Sequence, residues 1–155
     1  MQMRRCQPSE TLKFKDWIAI HHYLQMCPPG FVNIYEFMEG KQTIGGMLIG
    51  RPCAKQYDPE KILQLHRMVF IDDTAHCVES QALAMMRKHV RVWIPKIRGL
   101  LSYSDPSVGH EGIVYEADGW CPLGLTDEGW GKGWDSREGR DGEKKSKKMR
   151  WFRTP

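Results

Sequence analysis

The stretch SYSDPSVGHEGIVYEADGW, residues 102–120, decides the fold of this chain. It follows the apolar end of a strand and predicts a polar turn, a helix over 108–118 and a further strand over 120–125. Asp-Pro-Ser at 105–107 is a good helix start, and Gly119 is a residue type that ends helices. In α/β proteins, polar chemistry gathers where a strand ends and a helix begins, because backbone N–H groups and side chains converge there.

Five polar side chains of this segment are candidates for chemistry: Ser102, Ser104, Asp105, His110 and Tyr115. Asp105 is placed to orient an amino group or take a proton from it, to cap the next helix, or to do both. Ser102 points either into a cleft or into the core. The pattern around Tyr115 favours a half-buried packing tyrosine on an amphipathic helix. His110 is the weakest candidate of the five.

The rest of the chain alternates strand and helix patterns. Strands are predicted over 2–7, 31–38, 43–49, 62–71 and 98–103, and helices from Ser9 or Thr11 to about Met26 and over 78–94. The segment 62–71 is apolar on both faces, as a central strand should be. Gly45-Gly46 predicts a bulge or a close backbone approach. The order β, α, β-hairpin, β, α, β, α, β predicts an α/β fold with a mixed sheet and helices on both faces.

The first helix carries an apolar stripe and a second polar group. Leu12, Trp17, Ile20 and Leu24 are spaced for one buried face, and His21-His22-Tyr23 lies near the predicted end. Adjacent helical residues project about 100° apart, so the two histidines do not share a face and do not form a metal-binding pair. A tyrosine such as Tyr23 can stack on a flipped base. Tyr35, on the facing strand, is a weaker candidate for the same role.

The net charge of +4 is concentrated near the C-terminus. Residues 137–155 hold eight Lys and Arg and three Asp and Glu, whereas the rest of the chain has a formal charge of −1. The segment 127–155 is rich in glycine and charge, and regular structure there is doubtful. Such a basic tail indicates a polyanionic partner, DNA above all, or a solubilising extension. Trp151 among the charges favours DNA, since aromatic rings stack on bases; Lys147, Lys148 and Arg150 are the accompanying phosphate contacts.

The remaining composition narrows the class of protein. Five widely spaced cysteines without a Cys-x-x-Cys pair favour reduced thiols in a cytoplasm and disfavour a disulfide framework or a zinc site. The sequence has no apolar run near the ~20 residues that a membrane helix needs, and no apolar stretch follows the basic N-terminus as in a signal peptide. These features indicate a single enzyme or binding domain without a membrane partner.

The segment 102–120 resembles the corresponding segment of phage Mom-like DNA-modification proteins, a branch of the GNAT acyltransferase superfamily. The similarity continues through HHYLQMCPPG, GGMLIGRP and LHRMVFIDD and covers residues 12–126. It implies a GNAT-like domain over 1–126 and a basic tail over 127–155. The resemblance also implies location in the cytoplasm of a bacterial host.

The resemblance assigns roles to particular residues. It implies acetyl-CoA or a related acyl-CoA held by the backbone of Met68, Val69 and Phe70, with the pyrophosphate near residues 75–80. This loop contains no glycine, unlike the usual GNAT loop, so the Ser80 hydroxyl is the expected aid there. Tyr115 would protonate the leaving thiolate. Asp105, His22 and Tyr23 complete the implied catalytic set.

The implied function is conversion of adenine N6 to a carbamoylmethyl-type adduct that protects phage DNA from restriction. One alternative is an ordinary N-acetyltransferase acting on a small-molecule or protein amine. Another is a DNA-binding accessory protein that kept the fold and lost the cofactor, which the glycine-free loop favours.

Overall fold

The computed structural model describes residues 1–126 and 146–155, which form one seven-stranded sheet and three α-helices. The strands are β1 (Gln2–Arg5), β2 (Asn33–Glu39), β3 (Gln42–Gly50), β4 (Ile62–Phe70), β5 (Gly99–Ser104), β6 (Cys121–Leu125) and β7 (Met149–Arg153). The helices are α1 (Thr11–His21), α2 (Val78–Trp93) and α3 (Ile113–Ala117), and short 3₁₀ turns cover Pro8–Glu10 and Pro106–Val108. Within the described residues, no helix is long and apolar enough to cross a membrane.

The sheet is mixed, which confirms the predicted fold class. Its strand order is β1-β2-β3-β4-β5-β7-β6. Neighbouring strands pair antiparallel except β4 and β5, which are parallel. The alternation of side chains along each strand gives two cores. Ile34 and Leu48 pack with α1, whereas Tyr35 and Met47 point to the other face and pack with α2.

Helix α1 buries a different face from the one predicted. Leu12 is 77% and Ile20 75% exposed, so the predicted stripe is wrong; Phe14 and Ile18 are buried instead. Gly46 explains the close packing, because a Cβ there would lie 2.9 Å from the Ile18 side chain. The helix also ends earlier than predicted, at His21.

The central strands β4 and β5 separate after a short paired stretch. They pair only over Ile62–Gln64 and Gly99–Leu101, although both strands continue further. On the other side of β4, Leu65 pairs with Ile49 and Arg67 with Leu48. His66 is therefore the extra residue of a bulge. Beyond it, β4 is hydrogen-bonded to β3 and its other edge is open toward the gap.

The C-terminal strand corrects the expectation of irregular structure in the tail. Residues 149–153 form β7, which lies between β5 and β6. Residues 127–145 of the predicted tail lie outside the described part of the chain. The predicted helix over 108–118 is also shorter: α3 starts at Ile113, because Gly109 and Gly112 both adopt left-handed conformations with φ of 81° and 92°.

Candidate active site

A cavity of about 550 Å³ opens where β4 and β5 diverge. Its wall comes from the segment after α1, from both splayed strands, from the loop before α3 and from the residues preceding β7. His22, Tyr23, Asp105 and Tyr115 all line it, so the structure brings the four predicted catalytic residues together.

The cavity spans both faces of the sheet, because successive side chains of β4 and β5 alternate. Leu63 and Leu65 belong to the core beside α2, so Gln64 between them points to the α1 face. Ser102 contacts α3, and Tyr103 next to it points to the α1 face as well. The α2–α3 side and the α1 side thus supply different groups to one space.

Tyr115 is buried on the α2–α3 side in an aromatic cluster. Its ring stacks on Trp151 at a centroid distance of 5.6 Å and meets the edge of Trp120 at 5.3 Å. The hydroxyls of Tyr115 and Ser102 lie 2.8 Å apart, which places Ser102 in the cleft. Burial raises the pKa of Tyr115 to about 12, against the opposing effect of the Ser102 hydrogen bond. The phenol is therefore protonated at neutral pH and can donate a proton.

Asp105 is buried and is the N-cap residue of the 3₁₀ turn Pro106–Val108. Its Oδ1 accepts hydrogen bonds from the backbone N–H of Ser107, at 3.1 Å, and from the Ser107 hydroxyl, at 2.6 Å. Its Oδ2 accepts from the Ser146 hydroxyl. Burial alone would raise the pKa of Asp105, but the hydrogen bonds from Ser107 and Ser146 outweigh it and lower the pKa. Asp105 is therefore a carboxylate that faces the cavity.

His22 and Tyr23 form an aromatic wall with His110. The His22 ring stacks on Tyr23 at 4.6 Å, and Tyr23 lies 4.8 Å from the His110 ring. Nδ1 of His22 accepts the Leu24 backbone N–H at 3.2 Å, so a neutral ring carries its proton on Nε2. Burial, helped by the nearby charges of Arg67, lowers the pKa of His22 to about 4. Tyr23 remains 47% exposed and is available for stacking.

Three of the four predicted cofactor residues lie along the open edge of β4, and the fourth, Ser80, lies on α2. Of the four, Met68 lines the cavity, while Val69 packs toward α1 and Phe70 toward Phe37. Ser80 lies in the first turn of α2, and its hydroxyl donates to the Cys77 carbonyl at 3.0 Å. The resemblance requires only the backbone of the three β4 residues, and that backbone faces the gap.

The four predicted DNA contacts lie in four different environments. Lys148 lines the cavity, and Lys147 is exposed. Arg150 donates to the carbonyl oxygens of Leu123, at 3.0 Å, and Gly124, at 3.3 Å, which ties it to β6. The prediction for Trp151 is wrong: this residue is 2% exposed and cannot stack on a base.

Tyr35 and Trp151 are core residues for the same reason: both face the α2 side of the sheet. Tyr35 is fully buried, and its hydroxyl lies 3.1 Å from both the Asn33 amide and His89 Nδ1. Trp151 donates its indole N–H to Ser104 at 2.8 Å. Tyr35 therefore does not supply a surface for a base.

The lining residues that the sequence did not single out include three polar ones on the central strands: Gln64, Arg67 and Tyr103. Arg67 donates from Nε to the Met26 carbonyl at 2.7 Å and from Nη1 to the His66 carbonyl at 2.6 Å. Burial lowers the pKa of Arg67. The signal that could have identified these residues is a polar side chain within an otherwise apolar central strand.

Comparison with known proteins identifies the family. The sequence matches the Mom protein family over residues 6–151, which is nearly the whole chain. The chain belongs to the Mom protein family. The methylcarbamoylase Mom of Escherichia phage Mu is 29% identical over 75 residues, which cover 48% of this chain and 31% of that relative. The match thus spans about a third of the curated relative's length.

Solved structures show the same fold across the full chain. A probable acetyltransferase from Staphylococcus epidermidis superposes with a TM-score of 0.67 at 8% identity, covering 99% of this chain and 98% of the other. The GphF GNAT-like decarboxylase in complex with isobutyryl-CoA gives 0.68 at 12% identity, with 99% of both chains covered. A GNAT family acetyltransferase from Elizabethkingia anophelis with acetyl-CoA bound gives 0.61 at 9% identity, covering 99% and 97%. At these low identities the superpositions show a shared fold, which is the GNAT fold.

Proposed function

We propose that this protein modifies DNA by transferring a group to the exocyclic amine of adenine, with a carbamoylmethyl-type adduct at N6 as the final product. Membership of the Mom family supports the substrate class. The observation that carries the proposal is the cavity between β4 and β5. One side of this cavity has the open edge of β4 and the buried, protonated Tyr115. The other side has the aromatic rings of His22, Tyr23 and His110.

Acetyl-CoA or a related acyl-CoA fits the open edge of β4. Its pantetheine arm needs backbone partners along an extended strand, and the backbone of Met68, Val69 and Phe70 faces the gap that β5 leaves. The pyrophosphate would lie at the first turn of α2, near Ser80, where free N–H groups and the helix dipole favour negative charge. When bound, this group supplies a carbonyl carbon activated by its thioester bond.

The residues of the chain can then move the two protons that such a transfer requires. Tyr115 gives its phenolic proton to sulfur as the carbon–sulfur bond breaks. Asp105 takes the proton that the amine loses as the new carbon–nitrogen bond forms. These transfers leave an acylated amine and a free thiol. A carbamoylmethyl group is attached through a methylene carbon, so its formation needs chemistry beyond this transfer.

The aromatic wall on the α1 side suits a base that has left its stack. Stacking on an exposed ring is the usual support for a flipped nucleotide, and Tyr23 offers such a ring at the mouth of the cavity. His22 is neutral and has an Nε2–H to donate toward a base heteroatom. Lys147, Lys148 and Arg150 would contact the phosphates on either side.

The decisive experiment is mass spectrometry of nucleosides from the DNA of cells that express this chain. We expect a new deoxyadenosine derivative, and its mass distinguishes an acyl from a carbamoylmethyl group. The Tyr115→Phe variant is the matched control and should give none. Unmodified DNA, together with acetylation of a small-molecule or protein amine by purified protein, would instead identify an ordinary N-acetyltransferase.

A second measurement tests the cofactor. A ligand at ~100 times its dissociation constant adds about 2.7 kcal/mol to the free energy of unfolding. We therefore expect millimolar acyl-CoA to raise the melting temperature. A protein that binds DNA but shows no shift with any acyl-CoA would fit a DNA-binding accessory protein that has lost the cofactor.

A further inference from the structure

Gln64 lines the cavity with a side-chain amide that is anchored through its oxygen. The residue is 8% exposed and lines the cavity. Its Oε1 accepts the Cys53 backbone N–H at 3.0 Å, which fixes the orientation of the amide. Because the oxygen is engaged, Nε2 is left as a donor, and no acceptor within the described residues bonds to it. The N–H groups of Nε2 are therefore available to a ligand in the cavity.

Tyr103 presents a second incomplete group on the same side of the sheet. Its Oη is buried and has no hydrogen-bond partner among the described residues. Tyr103 lines the same cavity as Gln64, and both side chains point to the α1 face. Burial raises the pKa of Tyr103 to about 12, so the hydroxyl stays protonated and neutral.

The surroundings of this pair suit a flat, neutral ligand. The neighbouring Cys53 is a free thiol whose pKa is raised by burial, so it is uncharged as well. The aromatic wall of Tyr23 and His22 lines the same cavity. Arg67 also lines the cavity, but its guanidinium already donates to the carbonyls of Met26 and His66. The neutral polar groups near the stacked rings therefore match the polar edge of a nucleobase.

We propose that Gln64 and Tyr103 read the base, with Gln64 Nε2 donating to adenine N1. This assignment rests on the proposed function. A free glutamine commonly pairs with adenine through both amide atoms, its oxygen accepting from the exocyclic amine. Here the bond from the Cys53 N–H holds that oxygen toward Cys53 and leaves Nε2 as the group for the base, and we assign the reacting amine to Asp105. Guanine carries a hydrogen on N1 and would oppose the Gln64 donor.

The test is a double-mutant cycle between Gln64 and the base. Gln64→Glu keeps the acceptor for Cys53 but removes the donor, and Gln42→Glu at the exposed start of β3 is the matched control. The substrates are single-stranded oligonucleotides with one adenine, 1-deazaadenine or 7-deazaadenine, assayed at pH 8. We expect Gln64→Glu to lower kcat/KM about ten-fold or more on adenine and 7-deazaadenine but to add no loss on 1-deazaadenine.

An equal loss on all three bases would overturn the assignment, as would a changed KM for acyl-CoA with base recognition intact. In the second case Gln64 would contact the transferred group. Dissociation constants for the same oligonucleotides separate this question from catalysis. One outcome is that the wild-type protein forms no adduct but still binds adenine more tightly than 1-deazaadenine. If Gln64→Glu then removes that preference, the reading role stands and the proposed function fails. Equal binding of both bases by both proteins overturns the reading role.

Tyr103→Phe provides an independent check that does not risk the fold. The change removes a hydroxyl that has no partner in the free protein, so the melting temperature should stay equal or rise. Binding of the adenine oligonucleotide should weaken at the same time. A lower melting temperature with unchanged binding would contradict the proposal, because it would show that the hydroxyl serves the fold alone.

Discussion

Tyr115 illustrates how one side chain can combine packing with chemistry. Its ring fills the space between Trp120 and Trp151, and its hydroxyl reaches Ser102 at the cavity wall. Sequence composition favoured only the packing role. The structure supplies the second feature, a phenol at the cavity wall whose ionisation is further disfavoured because burial raises its pKa to about 12.

We expect Tyr115→Phe to remove base modification while keeping the fold. Phenylalanine preserves the stacking on Trp151, whereas loss of the proton donor should slow the reaction by ~10²–10⁴-fold. Rate measurements on acyl-CoA and DNA test this, with Tyr57→Phe, outside the cavity lining, as the control. A rate near that of the wild-type protein would show that Tyr115 serves packing alone.

His22 should make stability depend on acid pH. Its pKa is lowered from an ordinary 6.5 to about 4, so the folded state favours the neutral ring. Between those values the unfolded state binds more protons, and folding stability falls as pH drops from about 6.5 to about 4, by about 3 kcal/mol in all. Burial also lowers the pKa of His66 and His89, which add to the slope.

Urea unfolding of the wild-type protein and His22→Gln at several pH values isolates this contribution. The difference in the free energy of unfolding between the two proteins should shrink toward pH 4 and level off above pH 6.5. If the difference in the free energy of unfolding is the same from pH 4 to pH 6.5, groups other than His22 cause the pH dependence.

At the scale of elements, β7 connects the end of the chain to the site. Trp151 on this strand bonds to Ser104 and stacks on Tyr115, and a Cβ at Gly112 would lie 2.2 Å from its ring. The loop before α3, which carries His110, is therefore packed directly on β7. Trp151, which the sequence predicts to be a DNA contact, instead packs against the residues of the candidate site.

Trp151→Ala should destabilise the protein by about 3–5 kcal/mol, because it opens a large cavity beneath Tyr115. Trp93→Ala on the outside of α2 is the matched control, since Trp93 is 73% exposed, and it should change stability by about 0.5 kcal/mol or less. Thermal and urea unfolding measure both. Similar values for the two variants would contradict the buried position of Trp151.

At the scale of the whole molecule, the proposed function predicts that the placement of charge governs how DNA is held. Lys148 reaches the cavity and Lys147 lies beside it in sequence, so phosphates of a bound strand would pass close to the site. Deleting residues 137–155 would be a poor test of this, because it would also remove β7 from the sheet.

Replacing Lys147 and Lys148 by alanine tests the charge without removing the strand. Each lost phosphate contact should lower the slope of log K against log salt by ~0.9 on duplex DNA and ~0.7 on a single strand. Binding titrations at several salt concentrations measure the slope, with Lys41→Ala in the exposed β2–β3 turn as the control. Unchanged slopes would show that this segment does not contact phosphates.

The sequence by itself determined the order of the first six strands and the three helices, the mixed sheet, and four candidate catalytic residues that line one cavity. These depend on local signals: alternation along a strand, glycine at turns, and polar residues after an apolar strand. The Gly45-Gly46 pair is one such signal, since the two glycines accommodate Phe70 and Ile18 on opposite faces of the sheet. The resemblance carried by residues 102–120 added the roles.

Only the tertiary structure decided which apolar face of α1 is buried, that residues 149–153 form a strand, and that Gln64 and Tyr103 share a cavity with Tyr23. The reason is that each depends on contacts between distant parts of the chain. The local sequence around Trp151 does not indicate whether the side chain is exposed or buried. It is buried because β7 pairs with β5, which places Trp151 opposite Ser102 and against Tyr115. Likewise, the open edge of β4 exists because β5 diverges after three paired residues, which no pattern within either strand specifies.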